Sequence, residues 1–298
     1  MASAHKFAAI VALYFFLLLC GVAAAAPLAG ARHKAPEGKP SHTFAVIPFY
    51  SPDKIWTLYS PLIEYLKKTT GDPWKLELYN NHDEVIAGIC SGRISAALLG
   101  PVPLGRALQK CATKPLLVAI GKEGKLFYRS VMLTNDDSVQ TPAGLVGKKV
   151  GFFKGSTAAH IMPAKMLKDA GLDMTAIKPV FLESQDRIMS ALLAGEIDAA
   201  GVKDTLARKF EKIGLQVLAT SPPLPNFAIC ITPTLPPKTR QNLLSALLRL
   251  KPATSESDAK TMSKWDDEIK HGFMTPNKEF IPSVRKLYRV YREIQHEN

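Results

Sequence analysis

The chain has 298 residues, 47% hydrophobic and 21% charged, with a formal charge of +12. That is ample for a packed core and suits one two-lobed globular protein or two domains. Lys and Arg are spread along the whole length, without the tracts and interleaved aromatics of a nucleic-acid face. The excess reads as a basic solvated surface, compatible with a small anionic ligand.

The first residues differ from the rest. His5 and Lys6 precede a charge-free run from Phe7 to Ala26 that ends in Val22-Ala23-Ala24-Ala25-Ala26. Small residues stand at the −3 and −1 positions of a cleavage site, the layout of a secretory signal peptide. Cutting after Ala25 is expected, because a cut after Ala26 would place Pro27 beside the scissile bond. The run is also long enough to serve as an uncleaved anchor. Lipid attachment at Cys20 is disfavoured by the large Leu19 before it. With residues 1–25 removed, the chain is expected to be soluble and periplasmic, opening with a flexible leader over 26–42. Cys90, Cys111 and Cys230 remain. An oxidising compartment permits one bridge, with Cys90 and Cys111 the nearer pair, but the odd count and the spacing favour buried free thiols over a scaffold or a zinc site.

Strands and helices then alternate. His42 to Pro48 reads as a strand, and Ser51-Pro52-Asp53 as a helix start with a hydroxyl cap, a first-turn proline and an early carboxylate. Apolar Ile55, Leu58, Leu62 and Leu66 follow, and Gly71 closes that helix. Leu76 to Tyr79 is a strand, Asp83 to Ser91 a helix, Ile94 to Leu99 a strand, and another helix reaches Cys111. Leu116 to Ile120 and Arg129 to Thr134 are strands. A second lobe opens near Val139, with a strand at Val150 to Phe153, a helix from about Thr157 to Ala170, and a strand at Val180 to Leu182. Gln185 to Ala194 is helical, Ile197 to Val202 a strand, Asp204 to Ile213 helical, and Val217 to Ala219 a short strand. Phe227 to Thr232 returns to the first lobe, and helices at Thr239 to Leu250 and Pro282 to Ile294 finish the chain. Crossings near 135–141 and 220–226 would form a hinge. The expected division is 43–138 plus 225–298 for one lobe and 139–224 for the other.

The chain also repeats itself. Gly92-Arg93-Ile94-Ser95-Ala96-Ala97 recurs 103 residues later as Gly195-Glu196-Ile197-Asp198-Ala199-Ala200. Val85, Ile86 and Ile89 answer to Ile188, Met189 and Leu192, and Val46-Ile47-Pro48-Phe49 to Val150-Gly151-Phe152-Phe153. Two copies of one plan imply two similar α/β lobes, each a mixed and mostly parallel sheet flanked by helices. A ligand cleft is expected between them.

The most telling segment is Lys154-Gly155-Ser156-Thr157-Ala158-Ala159-His160. Gly155 lets the backbone turn closely over a ligand. Ser156 and Thr157 then stand at a helix start, where N–H groups and the positive dipole end make an anion site. The plainer reading is that Ser156 merely caps the helix. The Tyr50-Ser51 loop of the other lobe would face the same cleft. His160 shares a helix face with Ser156, with a packing or surface role favoured. Ser156 with His160 lacks an orienting acid or oxyanion hole, and no HExxH, GxSxG, paired-cysteine or P-loop motif is present, so no enzyme is expected.

From about Phe44 to Tyr291 the sequence resembles the phosphate/phosphite/phosphonate-binding proteins of ABC importers (PhnD-like), members of the type 2 periplasmic binding fold. The likeness rests on the Tyr50 loop, Gly92 to Pro101, Leu145 to Pro163, Gly195 to Val202, Ser221-Pro222-Pro223-Leu224-Pro225, Gly272-Phe273 and Val284-Arg285. It implies that Ser156 and Thr157 hold an oxyanion, that Tyr50 is a cleft tyrosine, and that Asp204 sits where some members place a carboxylate for a ligand amine. A rim aromatic and a helix cap are the rival readings of Tyr50 and Asp204. Three departures stand out. Ala158 replaces a further serine, Pro103-Leu104 stands where a tyrosine often follows Gly-Pro, and Gln185 lies near a ligand-contacting histidine of many members. A different anion, or a larger and less charged ligand, is therefore open. The resemblance implies a monomeric binding protein without a cofactor that delivers a small anion to an ABC permease. The alternative is a ligand-sensing protein for a receptor or sensor kinase, with a different small-molecule ligand.

Overall fold

The computed structural model describes residues 41–210 and 213–296. The expected signal peptide and almost all of the leader lie outside the described residues. The leader's expected end at 42 comes too late, because His42 already opens the first strand.

The first stretch runs β1 (His42–Val46), α1 (Pro52–Thr70), β2 (Trp74–Glu77), α2 (His82–Ser91), β3 (Ala96–Leu99), α3 (Pro101–Lys110) and β4 (Lys114–Ala119). Then come β5 (Phe127–Tyr128), β6 (Ser130–Thr134), β7 (Lys149–Phe152), α4 (Met162–Asp169), β8 (Lys178–Phe181), α5 (Gln185–Leu193), β9 (Ala199–Lys203), α6 (Asp204–Ala207) and β10 (Gln216–Thr220). The chain ends with β11 (Leu224–Pro225), β12 (Ala228–Ile231), α7 (Pro237–Leu248), α8 (Glu256–Met262), β13 (Phe273–Met274) and α9 (Phe280–His296).

Two sheets carry the two lobes. One has the order β13-β4-β12-β3-β1-β2, the other β10-β6-β9-β7-β8. The internal repeat is visible as a shared parallel unit, β2-β1-β3 in one and β8-β7-β9 in the other. Each unit is extended by an antiparallel strand from a distant segment, β12 on β3 and β6 on β9. Residues Phe44 to Val46 and Ala96 to Leu99 are buried throughout, as strands covered by helices on both faces must be. In α1 the buried stripe Ile55, Tyr59, Leu62, Ile63 and Leu66 follows helical spacing, and Gly71 ends the helix in the left-handed region at φ 66°.

The expected lobe boundary at 138/139 is displaced. β6 pairs with β9 and β10 in the second sheet, so the chain leaves the first lobe before it. The crossings are the strands β5 and β11, which pair antiparallel as a two-stranded ribbon. The polar stretch near 135–141 marks a loop within the second lobe rather than a hinge. The cysteine expectation also changes, because Cys90 and Cys111 form a disulfide with Cα atoms 5.5 Å apart. Adjacent parallel βα units bring the C-terminal ends of α2 and α3 together. Cys230 is free and buried in β12, and burial raises its thiol.

Candidate functional site

Gly155 turns the chain out of β7 with φ 77°, a conformation that L side chains rarely adopt. The helix that follows does not start as an ordinary one. Pro163 has no N–H, and its ring would collide with the carbonyl of Ala159 four residues back. The turn widens over Thr157–Ile161 into a π-helix, in which Ile161 N–H reaches Ser156 O at 3.0 Å and Met162 N–H reaches Thr157 O. The Ala159 carbonyl accepts instead from Phe153 N–H at 2.8 Å. Ser156 Oγ caps the start by accepting from Ala159 N–H at 3.2 Å. The N–H groups of Thr157 and Ala158 stand in the first turn, where a helix leaves such groups without intrahelical partners.

This helix start faces a cavity between the lobes. Ser156, Thr157, Ala158, Gln185 and Lys203 line it from the second lobe; Ile47, Phe49, His82, Gly100, Pro103 and Phe227 from the first; and Tyr128 from the β5/β11 ribbon. Its volume is about 10 Å³, room for one water at most. The lobes are clasped around it. Val102 N–H donates to Thr157 Oγ1 at 3.0 Å and Gln185 N–H to Phe49 O at 3.2 Å. Lys54 pairs with Asp186 at 2.7 Å and Lys209 with Asp267 at 3.2 Å.

The cation in the cavity is Lys203. Its Nζ lies 4.3 Å from the Tyr128 ring centroid and 4.9 Å from that of Phe227, and it is paired with Glu268 across the cleft. Both side chains are buried, at 8% and 5% exposure. Asp266 lies behind, accepting from Tyr59 Oη at 3.1 Å. Burial first, and the nearby Glu268 carboxylate second, raise its carboxyl to about 6. Beyond Lys203 and Tyr128 the cavity adjoins a wider chamber of about 450 Å³. Its charges are mutually paired, Asp204 with Arg208 at 3.2 Å, Glu123 with Lys125 at 3.2 Å and Asp267 with Lys270 at 2.5 Å.

The expected residues divide accordingly. Ser156, Thr157 and Gln185 line the cavity, and Gln185 Oε1 also accepts from Lys203 N–H at 2.9 Å. Gly155 makes the turn, and a Cβ there would touch His82 and Arg106 at 3.4 Å. Tyr50 is buried with Lys54 Nζ 3.7 Å over its ring, and its neighbour Phe49 lines the cavity instead. Burial first, then the carboxylates of Asp266 and Glu268, raise the Tyr50 phenol. Asp204 belongs to the wider chamber, with Oδ1 buried and unpartnered. His160 packs between Phe152 and Phe181 and accepts from Gly155 N–H at 3.1 Å through Nδ1.

His82, Phe49, Tyr128, Lys203 and Phe227 were not among the expected residues. The internal repeat held the signal for two of them. At the 103-residue offset, Gly100 answers to Lys203 and His82 to Gln185, and all four line the cavity.

A family model described as "ABC transporter, phosphonate, periplasmic substrate-binding protein" matches residues 44–279. The chain belongs to this family. Among curated relatives, the phosphate-import protein PhnD of Mycolicibacterium smegmatis is 28% identical over 180 residues, covering 56% of each chain. The match thus spans about half the length of that relative. A binding protein component of an ABC phosphonate transporter from Pseudomonas aeruginosa shares the fold at TM-score 0.76 and 15% identity, over 88% of this chain and 90% of that one. PhnD1 from Prochlorococcus marinus, solved with methylphosphonate, follows at 0.73 and 15%, over 87% and 99%. The alkanesulfonate-binding protein SsuA from Xanthomonas axonopodis, bound to MOPS, reaches 0.63 and 15%, over 88% and 96%. The family and the fold are those of substrate-binding proteins rather than enzymes. No helix among the described residues is long and apolar enough to cross a membrane.

Proposed function

We propose that the chain captures a small oxyanion of the phosphate, phosphite or phosphonate class between its lobes and delivers it to an ABC permease. The observation that carries this reading is the hydroxyl-capped helix start at Ser156 and Thr157, which faces a small interlobe cavity shared with Lys203. First-turn amides, the Ser156 and Thr157 hydroxyls, the Gln185 amide and the Lys203 ammonium supply donors of the kind an oxyanion needs. Four or five charge-assisted hydrogen bonds at roughly 1.5–3 kcal/mol each support the 8 kcal/mol or so of a micromolar ligand.

With about 10 Å³ available, the lobes must part before an anion enters and close again around it. The ribbon β5/β11 is the place for that hinge. Tyr50 supports the cavity wall through Phe49, and Asp204 faces a substituent of the anion rather than the anion itself. The wider chamber next to Lys203 leaves room for such a substituent. Export through a signal peptide cut after Ala25 would place the protein beside its permease.

Titration calorimetry against phosphate, phosphite, methylphosphonate, aminoethylphosphonate and methanesulfonate tests the reading. At least one of the phosphorus oxyanions is expected to bind at micromolar concentration, and Ser156→Ala to weaken it by about tenfold or more. Failure of every anion in the panel to bind would overturn it.

A further inference from the structure

His82 is poorly satisfied within the fold, with only the Gly155 backbone beside its ring as a hydrogen-bonding group. It is 4% exposed, and neither ring nitrogen makes a well-formed hydrogen bond. Leaving such a group unpaired costs roughly 1–3 kcal/mol, so a histidine serving only the fold would be expected to find a partner. Its position is instead fixed by backbone and packing. Asn81 caps α2 by accepting from Glu84 N–H at 2.9 Å, which holds His82 as the first helical residue. The ring packs edge-on against Phe153 at 4.9 Å. It lines the cavity opposite the Ser156–Ala158 turn.

The internal repeat sharpens the point. Gln185 is the first residue of α5, behind the Ser184 cap, as His82 is of α2 behind Asn81. The two lobes thus present equivalent side chains to one cavity, one an amide and the other an imidazole. Gln185 spends its carbonyl on Lys203 N–H, whereas neither His82 nitrogen is engaged in a well-formed hydrogen bond.

We propose that His82 is a ligand-contacting residue that takes up a proton as the oxyanion enters, so that anion and proton bind together. This rests on the oxyanion reading of the cleft.

The groups facing the ring account for the proton. Arg106 on α3 lies close but is paired with Asp83, which follows His82 on its own helix. From the second lobe, His160 and the Gly155 backbone face it, and Lys203 shares the cavity wall. Burial first, and the Arg106 cation second, hold the imidazole down to about 4, so the empty site is neutral at this position near pH 7. A bound anion favours the imidazolium and raises that value. The liganded protein then carries more protons than the free one, and affinity strengthens as pH falls.

Calorimetry with methylphosphonate, above the ligand's own last ionisation and in buffers of different ionisation enthalpy, counts the protons. Uptake of up to about one proton per ligand is expected for the wild type, with affinity rising by up to about tenfold per unit fall in pH. His82→Asn is expected to abolish the uptake, flatten that pH profile and weaken binding. Imidazole nitrogen NMR of the unaltered protein reads the same event without relying on the variant, as a change of the His82 ring from neutral to protonated on saturation. Binding by the wild type with no proton taken up and the ring still neutral overturns this proposal and leaves the cleft reading intact. If methylphosphonate does not bind, the same experiment is run with the phosphorus oxyanion of the panel that does, and failure of every anion of the panel to bind overturns both.

Discussion

Lys203 governs the charge of the cleft. Its ammonium lies over the Tyr128 and Phe227 rings and is paired with Glu268, a carboxylate of the opposite lobe. An entering anion competes with Glu268 for it. Glu268→Gln is therefore expected to leave a buried cation unpaired, lowering stability by about 3–5 kcal/mol while tightening anion binding. Melting curves with and without methylphosphonate measure both effects; unchanged affinity would show that Lys203 does not meet the anion. The buried titrating groups also set a pH response. Burial depresses His82 and His160 to about 4, below their unfolded range near 6.5, so the stability they contribute is present above that range and is lost as pH falls toward 4. Asp266, raised to about 6, acts in the opposite direction, because the fold holds its proton more tightly than the unfolded chain does. Asp266→Asn is expected to steepen the loss of stability between about pH 6 and 4, read from denaturation midpoints. A profile no steeper than that of the wild type would contradict this balance. Ser156, Thr157 and Gln185 were legible as residue types at a helix start. Phe227 was not, because a phenylalanine in a strand is ordinary until topology brings it to the cavity, and Lys203 was marked only by its place in the repeat opposite Gly100.

The element that matters most is the widened start of the helix after β7. Its hydroxyl cap and its glycine were readable, since both act through local backbone geometry. Pro163, which widens the turn, also stands in the sequence, but where its ring is seated was not readable, because that depends on the partner it packs against. That partner is Gly201 in the middle of β9, where an added Cβ would lie 1.9 Å from Pro163 Cγ. Strand and helix start approach too closely for any side chain there. Gly201→Ala is expected to destabilise the protein by about 1–3 kcal/mol or more, and Pro163→Ala in the same chain to recover part of the loss. Additive losses in chemical denaturation would mean that the two positions do not share a contact. The boundary of the second lobe was misplaced for a similar reason. Strand β6 has no sequence feature naming its sheet; pairing with β9 and β10 does so.

At the scale of the whole molecule, the duplicated sequence foretold the architecture more faithfully than any single element. Equivalent βα units build both lobes, so equivalent loops reach one cavity, and the 103-residue offset relates Gly100 to Lys203 and His82 to Gln185. The state of the cleft was not legible, because closure depends on contacts between residues as far apart as Lys203 and Glu268. The most direct measurement is a crystal structure of the protein grown with the tightest-binding anion of the calorimetric panel. The account places the anion's oxygens on the Ser156–Ala158 turn, with Lys203 Nζ turned from Glu268 toward them. An anion lodged elsewhere, with Lys203 still paired to Glu268 and the interlobe cavity unchanged, would contradict it.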